Sequence, residues 1–433
     1  MISDKILRDL RFFALLCAKA SQNCCVFLIF VKNEHDAKPM ARVLMMTDFS
    51  ESYANKLLSG IMRYSHEHEP WTVCKVPLSL RDSSRMREVA DFAVSWKADA
   101  VIGQFRNSDN VKVFQEKGIL TLAQDYQQRF PDLINISGDY VLSGEMAADY
   151  FIEKGVRHFA FFGISGMVWS EERLEGFAAR IRERVPEAHL SVRMKTGLHD
   201  VWWYDTASLT EWLAELPKPV AVLGCDDNIA YQIIEAVSQV DREDMRIPED
   251  ILVMGVDNDA SVCQMCAPQL SSINQDVEQA GYQAAALIEE LLSFPPQERQ
   301  QHYRDILVCP TYITTRQSTD AFIHENPYIS RIMYYVNENL HNRIKVEGLV
   351  DLVPMSRRML ETTFARETGI SLYQYIIRAR VNRMKDLINT GLSPLQAADE
   401  LGTDYKIIAR NFKNLTGMTP AEFARKQSNP IVI

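Results

Sequence analysis

Between residues 42 and 320, short apolar runs alternate regularly with longer amphipathic segments. Runs that are apolar throughout predict strands at 42–46, 100–103, 120–123, 159–163, 220–224 and 252–256. Patterns of helical period lie between them at 53–68, 85–96, 141–154, 171–184, 228–240 and 277–292. This order predicts an α/β fold built on parallel sheets that are covered on both faces. Because the segment is long for one doubly wound sheet, we expect two lobes.

The pattern changes after residue 296. A proline-containing loop leads to one last predicted strand at 306–309, and the polar stretch at 314–319 is interpreted as a linker. From Asn326 onward every pattern is helical, with breaks at glycines. The expected organisation is a leader of uncertain status at 1–39, a two-lobed α/β domain at 40–318 and an all-α domain at 319–433.

The net charge is unevenly distributed along the chain. The whole chain carries −10 at pH 7, whereas residues 325–433 hold 15 Lys and Arg against 11 Asp and Glu, a net charge of +4. The preceding residues therefore carry −14. An acidic body with a basic tail is typical of proteins in which only the tail contacts phosphates, and it favours nucleic acid as the partner of the helical domain.

The first 39 residues continue neither pattern. A short apolar run after three basic residues loosely resembles a secretory signal, but Asp4 and Asp9 fall among those basic residues. We therefore expect an added or mis-assigned leader, with Met40 as a possible start. No apolar run reaches the roughly 18 residues that a membrane span needs, so no membrane partner is expected.

Motifs for metal binding, cofactors and catalysis are weak in this sequence. Cys263 and Cys266 form one C-x-x-C pair, but a zinc site needs about four ligands and no second pair lies nearby. Ser165 follows a predicted strand as in a nucleophile elbow, but Met167 stands where the last glycine of that motif belongs. We expect buried thiols, no metal, no cofactor and no enzymatic activity.

Polar and aromatic side chains follow the predicted strands at the points where the strands end. In open parallel sheets ligands bind beyond these carboxyl ends. Carboxylates and arginine form charge-assisted hydrogen bonds with sugar hydroxyls, and aromatic faces cover the C–H patches of a sugar ring. The alternative is helix capping, for which Asp and Ser are preferred. The candidates for a ligand cleft are Ser50, Tyr53, Trp169, Arg173, Asp227 and Asp257.

Two segments of this region resemble the LacI/GalR regulators, whose ligand-binding domain has the two-lobed periplasmic-binding-protein fold. They are residues 220–230, Val-Ala-Val-Leu-Gly-Cys-Asp-Asp-Asn-Ile-Ala, and residues 247–258, Ile-Pro-Glu-Asp-Ile-Leu-Val-Met-Gly-Val-Asp-Asn. The resemblance covers about residues 41–318 and implies that Arg173, Asp227 and Asp257 bind the ligand, with Asp139 at a fourth cleft position. In one respect the chain departs from that family, because residues 1–41 show no DNA-binding helices in front of the domain.

The first of two helix-turn-helix patterns in the tail has helices at 346–353 and 356–367. Ser356 is a good N-cap for the second of these helices. Leu360 and Phe364, four residues apart, are expected to face the core. A recognition helix needs polar groups on its outward face to read base edges. The candidates here are Arg357, Arg358, Glu361 and Thr362.

The second pattern has helices at 394–401 and 404–413, with a turn at Gly402. Ile408 and Phe412 are expected to face inward. The outward side chains, and therefore the candidates for DNA contact, are Tyr405, Lys406 and Arg410. The alternative for either pattern taken alone is a surface helix with ordinary solvated charge.

Together the two patterns resemble the AraC/XylS family. Residues 364–371, Phe-Ala-Arg-Glu-Thr-Gly-Ile-Ser, resemble the end of its first motif, and residues 411–423, Asn-Phe-Lys-Asn-Leu-Thr-Gly-Met-Thr-Pro-Ala-Glu-Phe, follow its C-terminal signature. The resemblance implies two recognition helices in successive major-groove segments of double-stranded DNA, joined by a linker helix at 373–387. Two departures are Pro354 in place of the usual turn glycine and a segment 402–413 that is one residue short.

The order of the two domains resembles that of regulators of xylose-utilisation operons. It implies a cytoplasmic, sequence-specific transcription activator that acts as a homodimer and responds to a small sugar, a pentose such as xylose first. The sugar is expected to close the lobes over Arg173, Asp227 and Asp257 and to reposition the DNA-binding tails. The alternative is a two-lobe solute-binding or enzyme-like protein with a helical interaction tail, for which DNA binding would lack steep salt dependence.

Overall fold

The computed structural model describes residues 41–77, 85–196, 205–240, 242–324 and 326–428. These residues form two α/β lobes followed by a helical domain. The leader expected at residues 1–39 lies outside the described residues. Within the described part of the chain, no helix is both long enough and apolar enough to cross a membrane.

Lobe 1 is built mainly from the first half of the α/β region. In chain order its elements are β1 (Arg42–Met46), α1 (Ser52–Glu67), β2 (Thr72–Lys75), α2 (Met86–Ser95), β3 (Ala100–Gln104), α3 (Lys112–Glu116), β4 (Leu120–Gln124) and β5 (Ile134–Gly138). Lobe 2 follows with α4 (Tyr140–Glu153), β6 (His158–Ile164), α5 (Val168–Arg184), β7 (His189–Lys195), α6 (Thr206–Glu215), β8 (Val220–Gly224), α7 (Asp227–Ser238), β9 (Ile251–Val256), α8 (Ala260–Met265) and β10 (Ser271–Gln275). The chain then supplies α9 (Val277–Leu292), β11 (Ile306–Val308) and β12 (Pro310–Thr314).

Each lobe contains one six-stranded sheet. The strand order is β11-β5-β4-β3-β1-β2 in lobe 1, where all neighbours are parallel, and β12-β10-β9-β8-β6-β7 in lobe 2, where only β12 runs antiparallel to its neighbour. The chain crosses between the sheets after β5, after β10 and between β11 and β12. This arrangement confirms the predicted two-lobed α/β fold.

Burial on both faces explains which strands the sequence revealed. In β1, Val43 and Met45 join the cluster formed with α1 and α9, whereas Leu44 and Met46 join the cluster on the opposite face. Such strands are apolar throughout because successive side chains point to opposite, equally buried faces. Five strands escaped prediction for two reasons. The strands β2, β7 and β12 lie at sheet edges and are partly exposed, and β5 and β10 bury polar side chains.

The polar stretch at 314–319 is not the linker that we expected. Ser318 and Thr319 are fully buried against lobe 2. The Ser318 hydroxyl donates to the Val253 carbonyl (2.6 Å) and accepts from the Ser271 amide (2.8 Å), and the Thr319 hydroxyl lies 2.7 Å from that of Ser271. The run is polar because its hydroxyls satisfy buried polar groups of β9 and of the first residue of β10.

Helices α4 and α5 pack closely enough that glycine is required on both. A Cβ atom on Gly144 would lie 2.1 Å from the Arg173 carbonyl oxygen, and one on Gly176 would lie 2.0 Å from the Val141 carbonyl oxygen. Neither distance is compatible with a side chain. The contact fixes α5 against the start of α4, and so it positions the residues that α5 presents to the space between the lobes.

The helical domain has its own core of fully buried apolar side chains. Its helices are α10 (Pro327–Glu338), α11 (Val346–Val350), α12 (Arg357–Thr368), α13 (Leu372–Asn389), α14 (Pro394–Glu400), α15 (Tyr405–Thr416) and α16 (Pro420–Ser428). Capping boxes start α13 and α14, and glycines in the left-handed conformation end α12 and α15. Two helix-turn-helix units, α11–α12 and α14–α15, therefore flank α13, as the sequence predicted.

Candidate functional site

A cavity of about 380 Å³ lies between the lobes, at the carboxyl ends of their strands. Residues that follow strands of both sheets line it, which is the position expected for a ligand in open parallel sheets. Five residues predicted for the cleft are among them, namely Tyr53, Trp169, Arg173, Asp227 and Asp257. A cavity of this size accommodates a small molecule.

Arg173 lies in the second turn of α5 and is 2% exposed. Its guanidinium donates to the Cys225 carbonyl and, over 3.1 Å, to a carboxylate oxygen of Asp257. It also lies 5.2 Å from the ring centroid of Tyr140 and 5.5 Å from that of Trp169. Arg173 is therefore no surface residue, and its guanidinium is oriented from several sides before any ligand contacts it.

The Asp257 carboxylate that pairs with Arg173 sits on a strained backbone. The φ angles are +97° for Asp257 and +46° for Asn258, a region that side chains other than glycine seldom adopt. The Asp257 amide donates to the Ile273 carbonyl and the Asn258 amide to the Ser272 hydroxyl, and these bonds hold the turn in place. Strain of this kind costs of order 1–3 kcal/mol and is found most often at ligand sites.

Asp227 lines the cavity, but its carboxylate accepts hydrogen bonds from residues of lobe 2. One carboxylate oxygen accepts from the Ser272 hydroxyl (2.6 Å) and the other from the Asp259 amide (2.6 Å). Burial raises the pKa of this carboxyl well above its usual range. The neighbouring Asp226 caps α7, and burial raises its pKa to about 6. The bonds of Asp227 connect the residues that follow β8 and β9 to the start of β10.

The structure places two predicted cleft residues outside this cavity, and both make local hydrogen bonds instead. Asp139 caps α4 by accepting from the Leu142 amide over 3.1 Å. The Ser50 hydroxyl donates to the Asp48 carboxylate over 2.6 Å. Both residues follow strands, but the turn directs their side chains to groups within three residues along the chain.

Several lining residues were not predicted. Glu51 begins α1, Gln104 and Gln124 are the last residues of β3 and β4, and Asp125 and Tyr140 follow β4 and β5. The signal that could have found Gln104, Gln124 and Asp125 was again their position at strand ends. Tyr53, Gln124 and Arg173 each place one buried polar atom without a protein partner here: the Tyr53 hydroxyl, the Gln124 Oε1 and the Arg173 Nε. Such atoms indicate a polar ligand.

The two lobes also bond to each other directly around the cavity. The Arg129 guanidinium of lobe 1 donates to both carboxylate oxygens of Glu172 on α5, at 2.6 and 2.8 Å. The Lys56 ammonium on α1 donates to the carbonyls of Asp257 and Asn258. These contacts join residues of lobe 1 directly to residues of lobe 2.

The first recognition helix, α12, buries Leu360 and Phe364 completely and has Ser356 as its N-cap, as predicted. The candidates Arg358 and Thr362 are exposed. Arg357 and Glu361 are exposed too, but they pair with each other over 3.0 Å, and Arg357 also bonds to Glu347 over 2.7 Å. Arg358 and Thr362 are therefore better placed than this pair to contact a base.

The second recognition helix, α15, buries Ile408 and Phe412 and exposes Lys406 and Arg410. Tyr405, which we expected to face outward, is half-buried and packs against the core of the helical domain, and its contact with DNA stays a prediction. The outward position belongs to Ile407, which is 54% exposed. Neighbouring residues on a helix point in different directions, so only one of the adjacent Ile407 and Ile408 faces the core. Applied to the sequence, this rule would have identified Ile407 as the outward residue.

Residues 148–319 match the family model of a periplasmic binding protein-like domain, and residues 349–426 match that of a helix-turn-helix domain. The xylose operon regulatory protein of Haemophilus influenzae is 28% identical over 88% of this chain and 97% of its own length. The protein of the same name from Escherichia coli K12 is 26% identical over 88% and 96%.

Solved structures agree with this at the level of the fold. A structure titled as the xylose-binding transcription activator xylR covers 89% of this chain and 97% of its own, with 24% identity and a TM-score of 0.50. A regulator-like protein from Staphylococcus haemolyticus covers 65% of this chain and 99% of its own, with 16% identity and a TM-score of 0.51. The two matched domains and the relatives that share their order identify the chain as a transcription regulator that joins a periplasmic-binding-protein-like (LacI-type) sensor domain to an AraC-type helix-turn-helix DNA-binding domain.

Proposed function

We propose that this protein is a homodimeric, cytoplasmic transcription activator that binds a small sugar between its lobes and double-stranded DNA through α12 and α15. The observation that carries the sugar site is Arg173, a buried guanidinium held by Asp257 and flanked by two aromatic rings in a cavity with unpartnered polar atoms. A planar guanidinium grips adjacent hydroxyls, and aromatic faces cover the C–H surface of a sugar ring.

A pentose such as D-xylose is the proposed effector. Two relatives that share the domain order over most of this chain are named xylose operon regulatory proteins, and a structure of the same fold is titled as a xylose-binding activator. The proposed mechanism is that the sugar favours the closed arrangement of the lobes and thereby shifts a two-state equilibrium of the dimer.

Helix α4 offers a direct physical route for that shift. Its first residue, Tyr140, lines the cavity beside Arg173. At its other end the carbonyl of Lys154 accepts from the Ile323 amide over 2.7 Å, and the Lys154 ammonium lies 3.9 Å from the ring centroid of Phe322. Phe322 packs against Tyr375 on α13, the helix between the two DNA-binding units.

The test uses the full chain in two binding measurements. Calorimetric titration with D-xylose is expected to give one-site binding. Selection from a random duplex pool, followed by anisotropy at increasing salt, is expected to give sequence preference and a steep fall in affinity with salt. Added sugar should change the DNA affinity. Sugar binding without DNA binding at low salt would favour the alternative, a solute-binding protein with an interaction tail.

A further inference from the structure

The cavity between the lobes has an unbalanced charge. Among the described residues that line it, eight are acidic and only two, Arg106 and Arg173, are basic. Arg173 is already paired with the Asp257 carboxylate at 3.1 Å, and the Arg106 residue is exposed to solvent. Among the described lining residues, the one buried cation is therefore already neutralised by a carboxylate and does not balance the charge of a negative ligand.

Glu51 stands at the centre of this charge. It begins α1 in lobe 1, and its carboxylate accepts from the Asn228 side-chain amide of lobe 2 over 3.0 Å. It makes no capping bond to its own helix. Burial, and after it the carboxylates of Asp226, Asp48, Asp257 and Asp259, raises its pKa to about 7. These carboxylates come from both lobes, so closing the lobes concentrates negative charge around any ligand.

We propose that this cleft selects its ligand by charge, accepting an uncharged polyol and rejecting sugar acids and sugar phosphates, and that Glu51 is the residue that determines this selection. The proposal rests on the proposed sugar site. An anion placed among these carboxylates meets like charge from both lobes in a space that closure shields from water, where electrostatic repulsion is strongest. An uncharged polyol instead donates its hydroxyls to the same carboxylates, which is their favoured bonding mode.

The first experiment is a thermal-shift panel of matched pairs on the full chain at pH 8, above the pKa of about 7 to which burial raises Glu51, so that its carboxylate is ionised. Each neutral sugar is paired with its acid: D-xylose with D-xylonate, D-ribose with D-ribonate, D-glucose with D-glucuronate and D-galactose with D-galacturonate. Stabilisation is expected from one or more neutral members and from none of the acids. Stabilisation by an acid at similar or lower concentration would overturn the charge selection and leave the sugar site standing. A panel without any stabilising sugar would overturn the proposed sugar site, and the charge selection with it.

The second experiment assigns the selection to Glu51. The Glu51→Gln variant keeps an oxygen that accepts from Asn228 but removes the charge. Calorimetry at the same pH should show the neutral sugar binding more weakly than to wild type, because an amide is a weaker acceptor than a carboxylate, and the acid binding more tightly, so that the ratio of neutral to acidic affinity falls at least about tenfold. The control is Glu175→Gln on the exposed side of α5, which removes the same charge outside the cavity and should leave the ratio unchanged. An unchanged ratio in Glu51→Gln would overturn the assignment.

Discussion

The cleft and the DNA-binding face use polar residues in opposite ways. In the cleft, Arg173, Asp227 and Asp257 are bonded to protein groups that fix their positions, and Arg173 and Asp227 are each 2% exposed. On the helical domain, Lys406 and Arg410 extend into solvent from a helix that is held by Ile408 and Phe412 on its other side. In the cleft, bonds between side chains and neighbouring protein groups fix the geometry of the site. On the helical domain, the packed helix fixes the positions from which exposed side chains extend.

This difference predicts how each site responds to substitution. Removing a group from a bonded, buried cluster leaves its partners unsatisfied, so function and stability change together. Removing an exposed side chain from a well-packed helix changes binding alone, because surface substitutions away from caps and cores are nearly neutral for stability.

Arg173→Lys should reduce the affinity for the effector sugar by about 10–100-fold. A compact ammonium cannot donate to the Cys225 carbonyl and to Asp257 while also facing a ligand, and one charge-assisted hydrogen bond is worth about 1.5–3 kcal/mol. Calorimetric titration measures the loss, and DNA binding at low salt should persist. Arg182→Lys, on an exposed position of the same helix, is the control. If Arg173→Lys binds the sugar with wild-type affinity, Arg173 is not part of the ligand site.

Lys406→Ala and Arg410→Ala should each weaken DNA binding by roughly 1–3 kcal/mol if the side chain reads a base. Because both residues are exposed, the melting temperature should stay within about 1 °C of wild type. Anisotropy on a selected duplex gives the affinity, and Arg331→Ala, an exposed cation on α10, is the control. If neither variant binds DNA more weakly, α15 is not a recognition helix.

Ile407→Ala should have a smaller and more selective effect. Ile407 is 54% exposed on the same face of α15 as its charged neighbours, and an apolar side chain in the major groove contacts the methyl group of thymine. We expect a loss of about 1 kcal/mol on a selected site and less on duplexes that lack one particular thymine. Leu395→Ala on α14, where the leucine is 62% exposed, is the control. An equal loss on all duplexes would contradict base reading by Ile407.

The same contrast explains how far the sequence predicted the molecule. The inward residues Leu360, Phe364, Ile408 and Phe412 follow from helical period alone, and all four are buried. The cleft was only partly predicted. Strand ends indicated where it lies, but whether a side chain such as Asp139 enters the cavity or caps its own helix depends on a turn of two or three residues.

Glu51 shows a second limit of sequence reasoning. Its role depends on lobe 2, because Asn228, to which it bonds, and the carboxylates of Asp226, Asp257 and Asp259 come from segments far away in sequence. The spacing of apolar residues along the chain does not indicate how the two lobes face each other. The polar stretch at 314–319 was misinterpreted for a related reason, since its partners in β9 and β10 are invisible until the sheet is assembled.

The smallest predicted effect is a dependence of stability on pH that originates in the cleft. Burial and the carboxylates of Asp226, Asp48, Asp257 and Asp259 raise the pKa of Glu51 from 4.5 to about 7. Between those two values the folded chain keeps a proton that the unfolded chain releases, so stability contributed by Glu51 is lost as the pH rises through this window. The melting temperature of Glu51→Gln should therefore fall less than that of wild type between pH 5.5 and 7.5. The difference should be about 2–4 °C for each kcal/mol of stability that Glu51 contributes. Differential scanning calorimetry measures both slopes, with Glu175→Gln as the control. Parallel slopes for wild type and Glu51→Gln would show that Glu51 is already ionised at pH 5.5, and the electrostatic contrast between the two sites would then lie in the other carboxylates.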